Sequence, residues 1–206
     1  MTLARELDFG LHGLGLDLSL RQKTALLDYV ALLGKWNKTY NLTAIHEAER
    51  MLTLHILDSL ALTPHVAAGS LLDVGSGAGF PGIPLALALP DLRVTVMDAS
   101  QKKCGFMQQA AIELNMANVQ VVHARVEAYQ ATEKFTQITS RAFSDLAEFV
   151  RLSAHLLAPG GHWLAMKGAL PLTEIEQLKW ARVTRVAPLQ VPGLDAERSV
   201  IVMEAV

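Results

Sequence analysis

Cysteine is nearly absent from this chain: Cys104 is the one thiol in 206 residues. A lone cysteine forms no internal disulfide, which excludes a disulfide-stapled scaffold and fits a reducing, cytoplasmic setting. Aromatic residues are sparse at 6%, and neither sign of charge dominates, with 18 Lys+Arg against 20 Asp+Glu for a net charge of −2. A protein that grips nucleic acid mainly through phosphates usually carries a basic excess. Composition therefore argues mildly against such a partner, short of a local patch assembled from distant residues. Long apolar runs are missing as well. None approaches the ~20 residues of a membrane span, and the longest candidate, Ile83 to Leu89, contains Pro84 and reads as buried helix. Arg5, Glu6 and Asp8 stand where a signal sequence would be hydrophobic, so nothing points to export. Without repeats, low-complexity tracts or a Gly/Ser linker, one compact unit is expected. No obvious apolar helix is left over to bind a second copy, which favours a monomer.

Two textures divide the chain. Residues 1–65 read as a helical extension. Ser19 with Gln22 is a capping box, and Leu26, Val30 and Leu33 recur at helical spacing. A break follows at Asn37–Thr43, then a helix from Glu47 to Leu62 ended by Pro64. From 66 to 206, short apolar runs alternate with helices. Leu71–Val74, Val94–Met97, Val119–His123, Gln137–Ser140, His162–Met166, Val183–Val186 and Val200–Glu204 read as strands. Helices are expected near Pro81–Leu89, Gln101–Asn115, Ser144–Leu157 and Leu172–Lys179, and Ala158–Gly161 reads as a turn. The pattern predicts an α/β fold, a mostly parallel seven-stranded Rossmann-like sheet covered on both faces. The last two strands are joined by a short Pro192–Gly193 loop, which makes the final strand antiparallel. In such sheets ligands bind beyond the carboxyl ends of the strands, here the loops after Val74, Met97, His123 and Ser140.

The most informative stretch runs from Asp73 to Gly82. A strand leads into Gly75, Gly77 and Gly79, then Phe80 and a proline-bearing helix start. Glycines there let a ligand approach the main chain and permit positive φ. One strand later Asp98 can accept hydrogen bonds from both ribose hydroxyls of an adenosine. Gly77 to Gly82 also satisfies G-x-G-x-x-G, so a nicotinamide dinucleotide is a rival cofactor. Two features favour S-adenosyl-L-methionine. Asp73 can face its cationic methionine part, and Pro81 removes an amide that a pyrophosphate would want.

With that loop in place the chain resembles the glucose-inhibited division protein B (RsmG) family of bacterial 16S rRNA (guanine-N7)-methyltransferases, over nearly its whole length. The segments that carry the resemblance are Trp36–Thr43, His55–Ser59, Asp73–Gly82, Arg125–Glu127, Ser140–Phe143, Met166–Gly168 and Glu197–Arg198. It implies a class I methyltransferase acting on N7 of a guanosine in 16S rRNA, within the small ribosomal subunit. It further implies cofactor contacts at Gly75, Phe80, Val126, Glu127 and Arg141. One departure is visible, since the family commonly has Phe-Asp where this chain has Phe135-Thr136.

Guanine N7 carries a lone pair and no proton, so attack on a sulfonium methyl needs positioning and no general base. The chain agrees in lacking the Asn/Asp-Pro-Pro-aromatic motif of exocyclic-amine methyltransferases. Cys104, inside an expected helix, reads as an inert buried thiol. Arg141 is the candidate catalytic residue, its guanidinium able to fork onto a guanine edge, a phosphate or the cofactor carboxylate, against a plain ion pair with Glu127 or Asp145. Arg125, Lys167 and Arg198 are RNA-contact candidates. Trp36 and Tyr40 read as packing residues, and His55 and Asp58 as a polar link between helix and cofactor domain. The histidines lack ligand spacing, so no metal is expected.

Overall fold

The computed structural model describes residues 2–141, 143 and 145–206. Ala142 of the Ser140–Phe143 segment and the expected helix start Ser144 lie outside them. The amino-terminal part is helical: α1 (Leu3–Gly13), α2 (Leu20–Tyr40), then α3 (Ala48–Met51) running through a π-helical turn (Leu52–Leu57) into α4 (Asp58–Leu60). Ser19 and Gln22 form the expected capping box. Gln22 does double work, since its Nε2 also donates to the carbonyls of Leu87 and Ala88. Asn41, at φ 49°, closes α2 in the left-handed region that asparagine tolerates.

The remainder alternates β1 (Ser70–Val74), α5 (Gly82–Ala88), β2 (Arg93–Asp98), α6 (Gln101–Glu113), β3 (Val119–His123), β4 (Phe135–Ser140), α7 (Leu146–Ser153), β5 (Leu157–Lys167), α8 (Leu172–Glu176), β6 (Ala181–Pro188) and β7 (Ser199–Ala205). The seven strands form one sheet in the order β3-β2-β1-β4-β5-β7-β6. β7 runs antiparallel to both neighbours and the other pairings are parallel, as the short Pro192–Gly193 connection required. The order reverses between β1 and β4, so Val74, Asp98, Ser140 and Lys167 all end at one edge around that switch point.

Alternation along the strands splits the core. Leu71, Val94, Val96, Leu164 and Met166 pack with Leu26, Tyr29, Leu33, Ile56, Leu60 and the helices α5 and α6. Leu72, Val74, Ile138, Trp163, Ala165 and Ile201 face the other way, toward Leu146, Phe149 and Val150 of α7. The amino-terminal helices thus share one apolar core with the sheet, where each fully buried Leu or Ile contributes about 1.5–3 kcal/mol.

Three expectations need correction. The helix over Glu47–Leu62 is interrupted by the π-helical turn. Ala158–Gly161 is no turn ahead of β5 but an excursion within it: Phe135 pairs with Leu157 and Gln137 already with His162, so extra residues of β5 bulge out while the pairing resumes. The α8 helix stops at Glu176, short of Lys179. Thr136, where the family has an acid, bonds Ser70 through both backbone groups, its Oγ1 accepting from the Ser70 N–H and donating to the Ser70 carbonyl at 2.9 Å each.

Candidate active site

β1 delivers the chain to the glycine loop. Gly75, Gly77 and Gly79 adopt φ of 70°, 63° and 90°. At Gly79 a side chain is excluded twice over, because a Cβ would meet Ile83 Cδ1 at 2.5 Å and the Tyr29 hydroxyl at 2.7 Å. The Tyr29 hydroxyl donates to the Ala78 carbonyl, pinning the loop from the α2 side. Asp98, ending β2, holds the loop from the other side: Oδ2 accepts from the Gly77 N–H at 2.9 Å and Oδ1 from Ser100 N–H at 2.8 Å.

A cleft of about 480 Å³ opens over this edge, lined by Gly75, Asp98, Arg125, Val126, Glu127 and Phe143 among others. Its size suits a small cofactor. Gly75, Asp98, Arg125, Val126 and Glu127 thus share this one cleft, Arg125 and Glu127 exposed on it and Val126 buried.

Asp73 and Phe80 sit elsewhere. Asp73 is completely buried beneath the loop, with Oδ2 accepting from the Gly82 N–H at 2.8 Å, because the amino end of α5 lies directly below β1. Its Oδ1 has no hydrogen-bond partner among the described residues. Burial pushes its carboxyl up to about 7, against the pull of the Gly82 N–H. Phe80 turns into the core, edge-on to Tyr29 at 5.7 Å and stacked on His55 at 4.5 Å, so its ring does not line the cleft.

A second cavity, about 420 Å³, lies at the same edge of the sheet, lined by Ile45, Leu54, His55, Asp58, Arg141, Met166, Lys167, Gly168 and Arg198. Arg141 is its organising cation. Its Nη1 donates to Asp58 Oδ2 at 2.9 Å and to the Leu54 carbonyl at 3.1 Å, and its guanidinium carbon lies 5.3 Å from the Phe80 ring centroid. The partner is thus Asp58 at the start of α4, neither Glu127 nor Asp145. Asp58, 1% exposed, also accepts from Arg198 Nε at 2.9 Å through Oδ1. The link expected of His55 and Asp58 is present, but its reach to two arginines had no sign in the sequence.

His55 extends the network. Its Nε2 lies 2.9 Å from Thr43 Oγ1, and the Thr43 N–H donates to Asn37 Oδ1 at 2.9 Å, while Asn37 Nδ2 donates to the Ile45 carbonyl. The Asn37–Thr43 segment is thereby a scaffold for His55. Burial, and then Arg141, lower the His55 ring to about 4, which keeps it neutral. Trp36 packs on Phe106 at 5.7 Å and stacks on the more exposed Tyr40 at 5.0 Å, in line with a packing role.

Lys167 departs from the RNA-contact expectation. Its Nζ bonds Glu174 Oε2 at 2.8 Å and the Phe143 carbonyl at 3.1 Å, tying α8 to the edge of the sheet. Arg198 is likewise engaged by Asp58 and by the Glu197 carbonyl. Arg125 alone of the three is exposed with no side-chain hydrogen bond or ion pair among the described residues. Cys104 is buried and donates to the Asp98 carbonyl, its thiol raised by burial, which agrees with an inert role. Among the described residues no group of His, Cys, Asp and Glu is placed to hold a metal, and no helix is long and apolar enough to cross a membrane.

The sheet order, the glycine loop and the acid ending β2 define the class I fold of S-adenosylmethionine-dependent methyltransferases. A solved example from Geobacter sulfurreducens, in complex with S-adenosyl-L-homocysteine, aligns with a TM-score of 0.56 over 85% of this chain and 98% of that one, at 14% identity. The chain belongs to the GidB family, rRNA small subunit methyltransferase G, whose model matches residues 22–202. Proteins named ribosomal RNA small subunit methyltransferase G from Laribacter hongkongensis and Chromobacterium violaceum are 56% and 54% identical to it. They match over 98% of this chain in both cases, and over 98% and 99% of their own lengths.

Proposed function

We propose that this protein transfers the methyl group of S-adenosyl-L-methionine to N7 of a guanosine in 16S rRNA, acting in the cytoplasm as a monomer on the small ribosomal subunit. Residues 1–65 serve as a helical extension and residues 66–206 as the methyltransferase domain. The observation that carries the reading is the pair of cavities at the carboxyl edge of the sheet, one beside Asp98 and the glycine loop, the other around Arg141.

The residues of the first cavity fit the cofactor chemically. Gly75 brings bare main chain to the cleft, Gly77 is held behind it by Asp98, Asp98 retains lone pairs for ribose hydroxyls, and Val126 and Glu127, on the same lining, are the residues assigned to the adenine. When bound, that cofactor supplies an electrophilic sulfonium methyl. Asp73, Gly79 and Phe80 act from behind, holding the loop's shape, Asp73 through its hydrogen bond from the Gly82 N–H. In the second cavity Arg141 is positioned to donate to the guanine edge and orient it. The neutral His55, engaged by Thr43, is not needed as a base, in keeping with an acceptor nitrogen that carries no proton. Arg125 on the cleft, and Arg198 at the margin of the second cavity, provide the cationic rim for RNA, while Lys167 ties α8 to the sheet.

The test is incubation with methyl-labelled cofactor and 30S subunits lacking the modification, followed by nuclease mapping. Label in 7-methylguanosine of 16S rRNA is expected. Cofactor binding without label in rRNA would redirect the reading to small-molecule or protein acceptors.

A further inference from the structure

A third hollow on the same edge of the sheet is not used by the reading above. It measures about 670 Å³ and is lined by Leu170, Val186, Leu189, Val191 and Leu194, together with Asp195 and Glu197. It adjoins the Arg141 cavity, for Gly168 and Arg198 line both. The strand register explains the continuity: Lys167 of β5 pairs with Ser199 of β7, which pairs with Pro188 of β6, so one rim runs across all three strands. The passage is open at Gly168, where the nearest atom to an added Cβ is the Glu197 carbonyl oxygen at 3.9 Å. Leu170 and Val186 are 44% and 41% exposed, a grouping of apolar side chains of the kind that marks an interaction site.

Resting on the proposed function, the geometry points to a second nucleotide subsite, in which this hollow takes the base next to the target guanosine on the same RNA strand. The aliphatic walls suit the faces of a base. Arg198 stands at the junction with Nε held by Asp58 and Nη1 by the Glu197 carbonyl, while Nη2 has no protein partner among the described residues. That nitrogen is placed for the phosphate joining the two nucleotides. Asp195 and Glu197 disfavour a further phosphate inside the hollow and accept from base amino groups or a 2′-hydroxyl. A protein of net charge −2 cannot hold RNA by charge alone, and pockets for flanking bases supply both affinity and sequence choice.

Two measurements test this. Leu170→Asp combined with Val186→Thr alters exposed positions, and kcat/KM on unmodified 30S subunits should fall about tenfold with S-adenosylhomocysteine affinity unchanged. Trp180→Ala, at the opposite edge of the sheet, should leave kcat/KM as it is. In the second, independent of any variant's folding, methyl-labelled wild-type protein with bound S-adenosylhomocysteine is titrated with GMP and with guanosine–uridine dinucleotides in both orders. A dinucleotide should shift the Leu189 and Leu194 methyl resonances, and GMP should not. A fall in kcat/KM without those shifts would mean that a protein of the subunit docks in the hollow, which overturns the nucleotide assignment. Full activity of the double variant would remove the hollow from substrate binding altogether. Failure of the wild type to methylate 30S subunits would instead overturn the function on which the subsite rests.

Discussion

Asp58 and Arg141, 83 residues apart in sequence, are joined by a 2.9 Å ion pair in which the carboxylate is almost wholly buried. The pair couples the amino-terminal helices to the end of β4, so disturbing it should be felt in both stability and turnover. Arg141→Ala leaves Asp58 with Arg198 as its remaining cation and frees the Leu54 carbonyl. Stability is expected to fall by about 1–3 kcal/mol, with methyl transfer down about a hundredfold and cofactor binding retained. Urea unfolding, calorimetry with S-adenosylhomocysteine and the 30S assay read the three separately; near-normal turnover would remove Arg141 from the chemistry.

Asp58→Asn keeps the shape and loses the charge that two guanidinium groups share. Breaking a buried pair by removing one partner costs about 3–5 kcal/mol, and the asparagine oxygen still accepts from one arginine, so the lower end is expected. A shift in urea midpoint smaller than that seen for a surface Asp→Asn control would show the pair to be energetically idle.

Asp73 gives a pH signature. Its carboxyl sits near 7 in the folded chain against an ordinary 3.8, chiefly through burial. The native state keeps a proton that the unfolded chain releases, so this contribution is full below 3.8 and lost as pH rises through about 7. Asp73→Asn removes the titration and should raise stability above pH 7 by about 1–3 kcal/mol, the gain shrinking at lower pH. Cofactor affinity should fall in the same variant. Equal pH–stability curves for both proteins would refute the assignment.

His55 works in the opposite sense. Its ring is held near 4 rather than 6.5, first by burial and then by Arg141. Between those values the unfolded chain takes up a proton that the native one refuses, so stability present above 6.5 is lost as pH falls toward 4. His55→Gln should flatten the acid limb of the curve, as followed by urea midpoints between pH 4 and 7.

Arg125, exposed on the cofactor cleft, should be silent in stability. Arg125→Ala is expected to leave the urea midpoint unchanged, weaken binding to 30S subunits several-fold and lower the salt dependence of that binding by about one unit of slope. An unchanged salt slope would mean that it meets no phosphate.

The sheet was legible in the sequence because each strand is a short apolar run bounded by helix or turn signals, and pairing only lengthened the ends. The glycine loop was legible because its chemistry is local. What escaped was set by contacts across the chain. Nothing near Asp58 announces Arg141 or Arg198, and nothing near Lys167 announces that Glu174 occupies it. Asp73 was read as facing the cofactor because its position is one strand residue from the loop. Its direction is decided by the amino end of α5, a tertiary fact. Ala158–Gly161 reads as a turn on local chemistry, whereas β4 keeps pairing on both sides of it.

The π-helical turn at Leu52–Leu57 escaped for a related reason, since one extra residue barely disturbs an apolar pattern. Its effect is one of phase. Each residue added to a helix rotates everything after it by about 100°. Deleting one residue from this turn would give a more regular helix and carry Asp58 round its axis, away from both arginines. The wider turn sets the angle at which Asp58 meets the sheet, so the most ideal version of this segment would sever the helices from the site they support.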